Sequence, residues 1–180
     1  MRRPLLLLAL GVLTPMFQGA LVSHLPRALV PDLSLLVVLA LGLHWRSASG
    51  GLLVAGIAGF VADLLSGSLR GQHALLHIAT FGAARYASVH VNLRGVGPQI
   101  VFAAALTAMH GVALGALTAF FSPGVGFGWI DARELPVRAA VNGVAAPLVA
   151  ALVRAAVSKL GEGESGGRRT LRLEPRSLVS

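Results

Sequence analysis

The chain contains no cysteine, and of its 180 residues only 12% are charged and 6% aromatic. The missing thiols exclude disulfides and thiolate metal sites. Scarce charge, set against 55% hydrophobic residues and a mean hydropathy of +0.76, excludes an ordinary soluble domain. The 15 basic residues exceed the 7 acidic ones, but they are scattered between apolar segments with few aromatics and no basic stripe, so nucleic acid is not the implied partner. Enzyme signatures are missing as well. No serine stands near a plausible base and an orienting acid. The run GVGFG at 124–128 is neither a P-loop nor a dinucleotide fingerprint. No cofactor is implied.

What the chain has in abundance is long apolar runs. A membrane-spanning helix needs about 20 mainly apolar residues. The pattern predicts an all-α, polytopic membrane protein over residues 1–160, with six spans at about 4–25, 33–45, 50–65, 72–91, 97–121 and 135–157. The second is short. At 1.5 Å per residue it covers about 20 Å, so it must be tucked inside the bundle, sit in thinned bilayer, or draw on its flanking turns. Residues 161–180 are rich in Gly, Ser and charge and read as a disordered basic cytoplasmic tail. A cleaved signal peptide is the weaker reading of MRRPLLLLALGVL, because the apolar stretch runs past Pro15 to Leu25.

With both termini cytoplasmic, the inner segments hold Arg2, Arg3, Arg46, Arg85, Arg94, Arg154, Lys159, Arg168, Arg169, Arg172 and Arg176. The outer segments hold Arg27, Arg70, Arg133 and Arg138. The division of 11 to 4 accounts for all 15 basic residues and obeys the positive-inside rule.

Polar residues inside apolar segments are the functional candidates. In the third span Gly51, Ala55, Gly59 and Asp63 step by four along one face, with Leu53, Ile57, Phe60 and Leu64 opposite. Asp63 therefore faces protein, and Gly59 marks a close helix contact. The structural reading of this carboxylate is a cap on the backbone of the following turn. The functional reading is a charge paired with Arg138 or Asn142 of the sixth span, or with His73 or His77 of the fourth. Asp63, His73 and His77 contain zinc-ligand types, but H-x-x-x-H without the glutamate of HExxH is a poor metal signature. His110 lies mid-span beside the G-x-x-x-G of Gly111 and Gly115, which predicts a helix contact bridged by a neutral histidine. Pro15 and Pro147 fall within spans, Gln18 shares a face with Pro15, and Trp45 and Trp129 read as interface anchors.

PDLSLLVVLALGLHW followed by GGLLVAGIAGFVADLLSGSLRGQHAL resembles the central signature of the MreD family of rod shape-determining membrane proteins. The matching positions are Pro31, Asp32, Gly56, Gly59, Asp63, Leu64, Ser66, Gly67, Gly71 and His73, within about residues 31–94. Arg70 departs from the uncharged residue usual there, and the basic tail is long for the family. The resemblance implies a non-enzymatic component of the bacterial inner membrane that binds MreC. Through it the chain would connect indirectly to MreB, RodA and a class B penicillin-binding protein. It also implies a fold similar to the six-helix substrate-binding components of energy-coupling vitamin transporters. From that comes the alternative expectation, a solute-capturing transporter component with Asp63, His73, Arg138 and Asn142 around its ligand.

Overall fold

A computed structural model describes residue 9 and residues 12–20, 26–45, 47–66, 71–93, 95–121 and 129–165. The described elements are helical: α1 over 12–20, a 3-10 turn at Arg27–Leu29, α2 Leu33–His44, α3 Ala48–Ser66, α4 Gln72–His90, α5 Val96–Phe121 and α6 Trp129–Ser165. Three segments are long and apolar enough to cross a membrane: Ala48–Ser66, Val96–Phe121 and Arg133–Ala156. The α2 helix is apolar but has only 12 residues. The α4 helix is long enough but carries Gln72, His73, His77, Thr80 and Arg85 along its length.

The short α2 is the centre of the molecule. Every residue from Ser34 to Gly42 is buried, as expected of a helix that is apolar on all sides. It packs against α3, α4 and α6. Of the three arrangements open to so short a segment, the structure adopts the one inside the bundle. Its start is fixed by Asp32, whose Oδ1 accepts from the Leu35 N–H at 3.0 Å, a side-chain cap. At its other end the Arg85 guanidinium donates to the carbonyl of Trp45, where the helix dipole favours a cation. The Trp45 ring is half-buried against the core rather than fully exposed at a rim. The Trp129 side chain lies outside the described residues.

The i, i+4 stripe of α3 is buried as its spacing predicts: Gly51, Ala55, Gly59 and Asp63 face inward, while Leu53, Phe60 and Leu64 are exposed. The α4 helix lies directly on that stripe, with the Phe81 ring over Gly51. The α5 helix turns Ala103, Leu106, Thr107, His110 and Gly115 inward and packs mainly on α6.

The α6 helix departs from expectation at both ends. It begins six residues before Leu135 and contains Pro136 as well as Pro147. A proline near a helix start usually sits in the first turn, and this one falls a full turn later. At the other end the helix continues to Ser165, so residues 161–165 belong to it and not to a tail. Each residue added to an existing helix gains a hydrogen bond without a new nucleation cost. The remainder of the expected tail, 166–180, lies outside the described residues, as do Gly67 and Arg70.

One close contact hides within the leucine-rich run of α2. A methyl on Gly42 would sit 2.6 Å from the Ala84 Cβ and 2.8 Å from the Phe81 carbonyl oxygen, so α2 and α4 touch backbone to backbone. Gly42→Ala is expected to cost about 1–3 kcal/mol through overpacking, despite alanine's better helix propensity. Gly82→Ala, on the exposed side of α4 with nothing within 4 Å of the added methyl, is expected to gain about 0.5–1 kcal/mol. Thermal unfolding in detergent, followed by tryptophan fluorescence, checks both signs.

Candidate functional site: a carboxylate junction and a polar spine

The helix ends around Asp63 form one junction. The chain leaves α3 at Ser66 and re-enters helix after Gly71, whose φ of +95° lies in the left-handed region that glycine alone adopts freely. The first N–H groups of α4 point back at α3 with no intrahelical acceptor. Asp63, 1% exposed, supplies both oxygens to them. Oδ2 accepts from the N–H of Gly71 at 2.8 Å and of Ala74 at 3.3 Å. Oδ1 accepts from the N–H of His73 at 2.9 Å and from its Nδ1 at 2.8 Å. The carboxylate is thus a cap lent by the preceding helix, placed where the dipole of α4 favours negative charge. Gly59, one turn earlier, admits the α4 backbone at Ala74.

From this junction polar groups continue into the bundle. His77 Nδ1–H donates to the His73 carbonyl at 2.8 Å, which makes Nε2 the acceptor and Ser34 Oγ–H its donor at 3.1 Å. His110 stands edge-on to His77 with ring centroids 5.5 Å apart, and its Nδ1 lies 3.4 Å from Thr80 Oγ1. The histidine therefore bridges α4 and α5, whereas the adjacent Gly111 meets Leu135 of α6, so histidine and glycine serve different helix contacts. Asn142 of α6 accepts from the Asp32 N–H at 2.7 Å and donates to Thr107 Oγ1 at 3.3 Å. Gln72 donates to Thr118 at 3.0 Å. Asp63, His77 and Asn142 are each at most 3% exposed. A buried network of this kind, satisfied internally, fixes one arrangement of helices.

The sequence-derived candidates divide accordingly. Asp32, Asp63, Gly71, His73 and Asn142 hold the network, and half-buried Pro31 leads into the Asp32 cap. Gly111 lies under the Leu135 side chain and Gly115 is buried in α5. Arg138 does not join Asp63. It pairs at 3.0 Å with Glu134, one turn earlier on α6, an i, i+4 pair that its own helix supplies. Of the four residues expected around a solute, Asp63 meets His73, Asn142 meets Asp32 and Thr107, and Arg138 meets Glu134. Among the described residues no three His, Asp or Glu side chains cluster to hold a metal. Sequence reasoning missed Ser34 and gave Gln18 a face but no partner. Ser34 sits inside a leucine run, and Gln18 Oε1 reaches the Ser34 N–H at 3.4 Å.

Beside the junction lies a cavity of about 410 Å³, walled by α1, α2, α3 and α4, with Gln18, Asp32, Ser34, His73 and His77 among its polar residues. A second cavity, about 490 Å³ between Leu43 and Gln99 at the opposite end, is open and borders none of the network. Comparison with known proteins returns no matching family model, no similar curated protein and no similar solved structure.

Proposed function

We propose that this chain is a non-enzymatic, six-span scaffold of the bacterial inner membrane, similar in role to MreD. In this reading both termini are cytoplasmic, and the chain holds the single span of an MreC-like protein. It thereby helps couple an internal MreB filament to peptidoglycan synthesis by RodA and its class B penicillin-binding partner. The observation that carries the reading is the use made of the resemblance-bearing residues. Asp32, Asp63, Gly71 and His73 direct their polar atoms to backbone and neighbouring helix groups, an arrangement that serves rigidity. Exposed Leu53, Phe60, Leu64, Val101, Met109 and Leu148 give α3, α5 and α6 outward faces suited to lipid or to another helix.

The test is co-purification of the tagged chain with the MreC-like protein of the same cell. Wild type is expected to retain it through detergent extraction and size exclusion. A well-folded chain that retains none would sink the scaffold reading.

The cavity beside Asp32 favours a second reading, a solute-capturing component of a membrane transporter. Saturable thermal stabilisation by a vitamin-sized solute, with the shift growing as ligand exceeds its Kd, would support it.

A further inference from the structure

The cavity at the Asp63 end has an uneven hydrogen-bond inventory. Most of the donors on its walls are committed: His73 Nδ1–H to Asp63, His77 Nδ1–H to the His73 carbonyl, Ser34 Oγ–H to His77 Nε2, and the Ser34 N–H to Gln18 Oε1. Acceptors remain. Asp32 uses Oδ1 for the cap on α2, and among the described residues no hydrogen bond or ion pair engages its Oδ2. The Gln18 carbonyl keeps a second lone pair. Among the described residues that wall the cavity there is no lysine or arginine, and Asp32 is the carboxylate. Such a site favours a cation that brings its own donors, which a primary ammonium does with three N–H groups.

The surroundings specify what carries that ammonium. Leu65 and Ala62 line the cavity on the α3 side and Pro15 on the α1 side. Next to them Met16, Phe17, Leu64 and Leu65 are all more than half exposed, so the two helices flanking the cavity present continuous apolar surface. A volume of about 410 Å³ falls within the range of ligand sites and suits a headgroup. We infer that this cavity binds the ammonium headgroup of an aminophospholipid, of the phosphatidylethanolamine type, with Asp32 Oδ2 and the Gln18 carbonyl as acceptors. The lipid's acyl chains lie along the apolar faces of α1 and α3. The Gln18 amide N–H groups, uncommitted among the described residues, match the adjoining phosphate. This site depends on the chain residing in a membrane and not on its having an MreC-like partner.

Native mass spectrometry of the full chain in detergent, titrated with phosphatidylethanolamine and separately with phosphatidylglycerol, tests the assignment. Wild type is expected to retain the ethanolamine lipid about tenfold better, the scale of one charge-assisted hydrogen bond. Asp32→Asn keeps an oxygen for the α2 cap and removes the charge, so its preference is expected to fall to that of phosphatidylglycerol with the helical circular dichroism unchanged. Ala62→Phe fills the cavity without touching the cap and is expected to abolish the preference on its own. Undiminished preference in a folded D32N or A62F chain, or tighter retention of phosphatidylglycerol by wild type, would overturn the site. Equal retention of free ethanolamine and of the lipid would assign it to a soluble amine instead and overturn the lipid assignment.

Discussion

Asp63→Leu is expected to leave the chain unable to hold α3 and α4 together, with loss of monodisperse protein after detergent extraction. The leucine removes at least four acceptor contacts to described residues at once, three of them to backbone N–H groups at the start of α4. Hydrogen bonds to a charged group contribute about 1.5–3 kcal/mol each. Even with strong non-additivity the total reaches about 4 kcal/mol, a large part of the roughly 5–15 kcal/mol that stabilises a folded domain. Leucine also leaves those N–H groups buried and unpaired, the costliest outcome for a polar group in an apolar setting.

Asp63→Asn separates acceptor geometry from charge. An asparagine keeps one oxygen, but its NH2 must face either the Gly71 and Ala74 pair or the His73 pair, and it cannot accept from them. From the sequence alone, Asn preserves the capping oxygen and should be mild. The structure uses both oxygens, so about half the loss is expected, roughly 2 kcal/mol, read as a lowered thermal midpoint in a chain that still extracts intact. A wild-type midpoint for D63N would refute the two-oxygen cap. A loss equal to that of D63L would show that the negative charge at the α4 dipole dominates over the number of acceptors.

The parts of this junction that were legible in the sequence are those governed by short periods. A step of four put Gly51, Ala55, Gly59 and Asp63 on one face, and the glycine-rich turn after Asp63 put a carboxylate within reach of the next helix start. The shortness of the second apolar run was also legible and admitted three arrangements, of which the 12-residue α2 takes the enclosed one. What stayed hidden joins residues far apart in the chain, where no local period operates. The Asn142 contact with Asp32 spans 110 positions and Ser34 with His77 spans 43. Gly42 gave no signal because its spacing partner is a patch of α4 backbone. Arg138 misled for the opposite reason: an attractive distant partner was considered while Glu134, its neighbour by one turn, took the contact. The cavity beside Asp32 is likewise a property of four helices, with no motif of its own.

Gly59→Leu is expected to match Asp63→Leu in severity, by a steric route into the same junction. A Cβ at Gly59 falls 2.5 Å from the His73 carbonyl oxygen and 2.6 Å from the Ala74 nitrogen. Both are backbone atoms of the α4 first turn, which cannot rotate aside as the end of a side chain would. Gly59→Ala must therefore push α4 away from α3. The N–H groups of His73 and Ala74 that move are the ones bound to Asp63, so the methyl loosens the cap while removing no acceptor. The two positions are then energetically coupled, and a double-mutant cycle measures the coupling. G59A alone is expected to cost about 1–3 kcal/mol by overpacking, and D63N about 2 kcal/mol. The G59A/D63N chain should lose less than their sum, by about 0.5–3 kcal/mol, because a displaced α4 has already surrendered bonds that the asparagine would break. Strict additivity of the thermal midpoints, or an unperturbed G59A chain, would mean that helix contact and helix cap are independent, and that the glycine stripe and the carboxylate beside it serve separate ends.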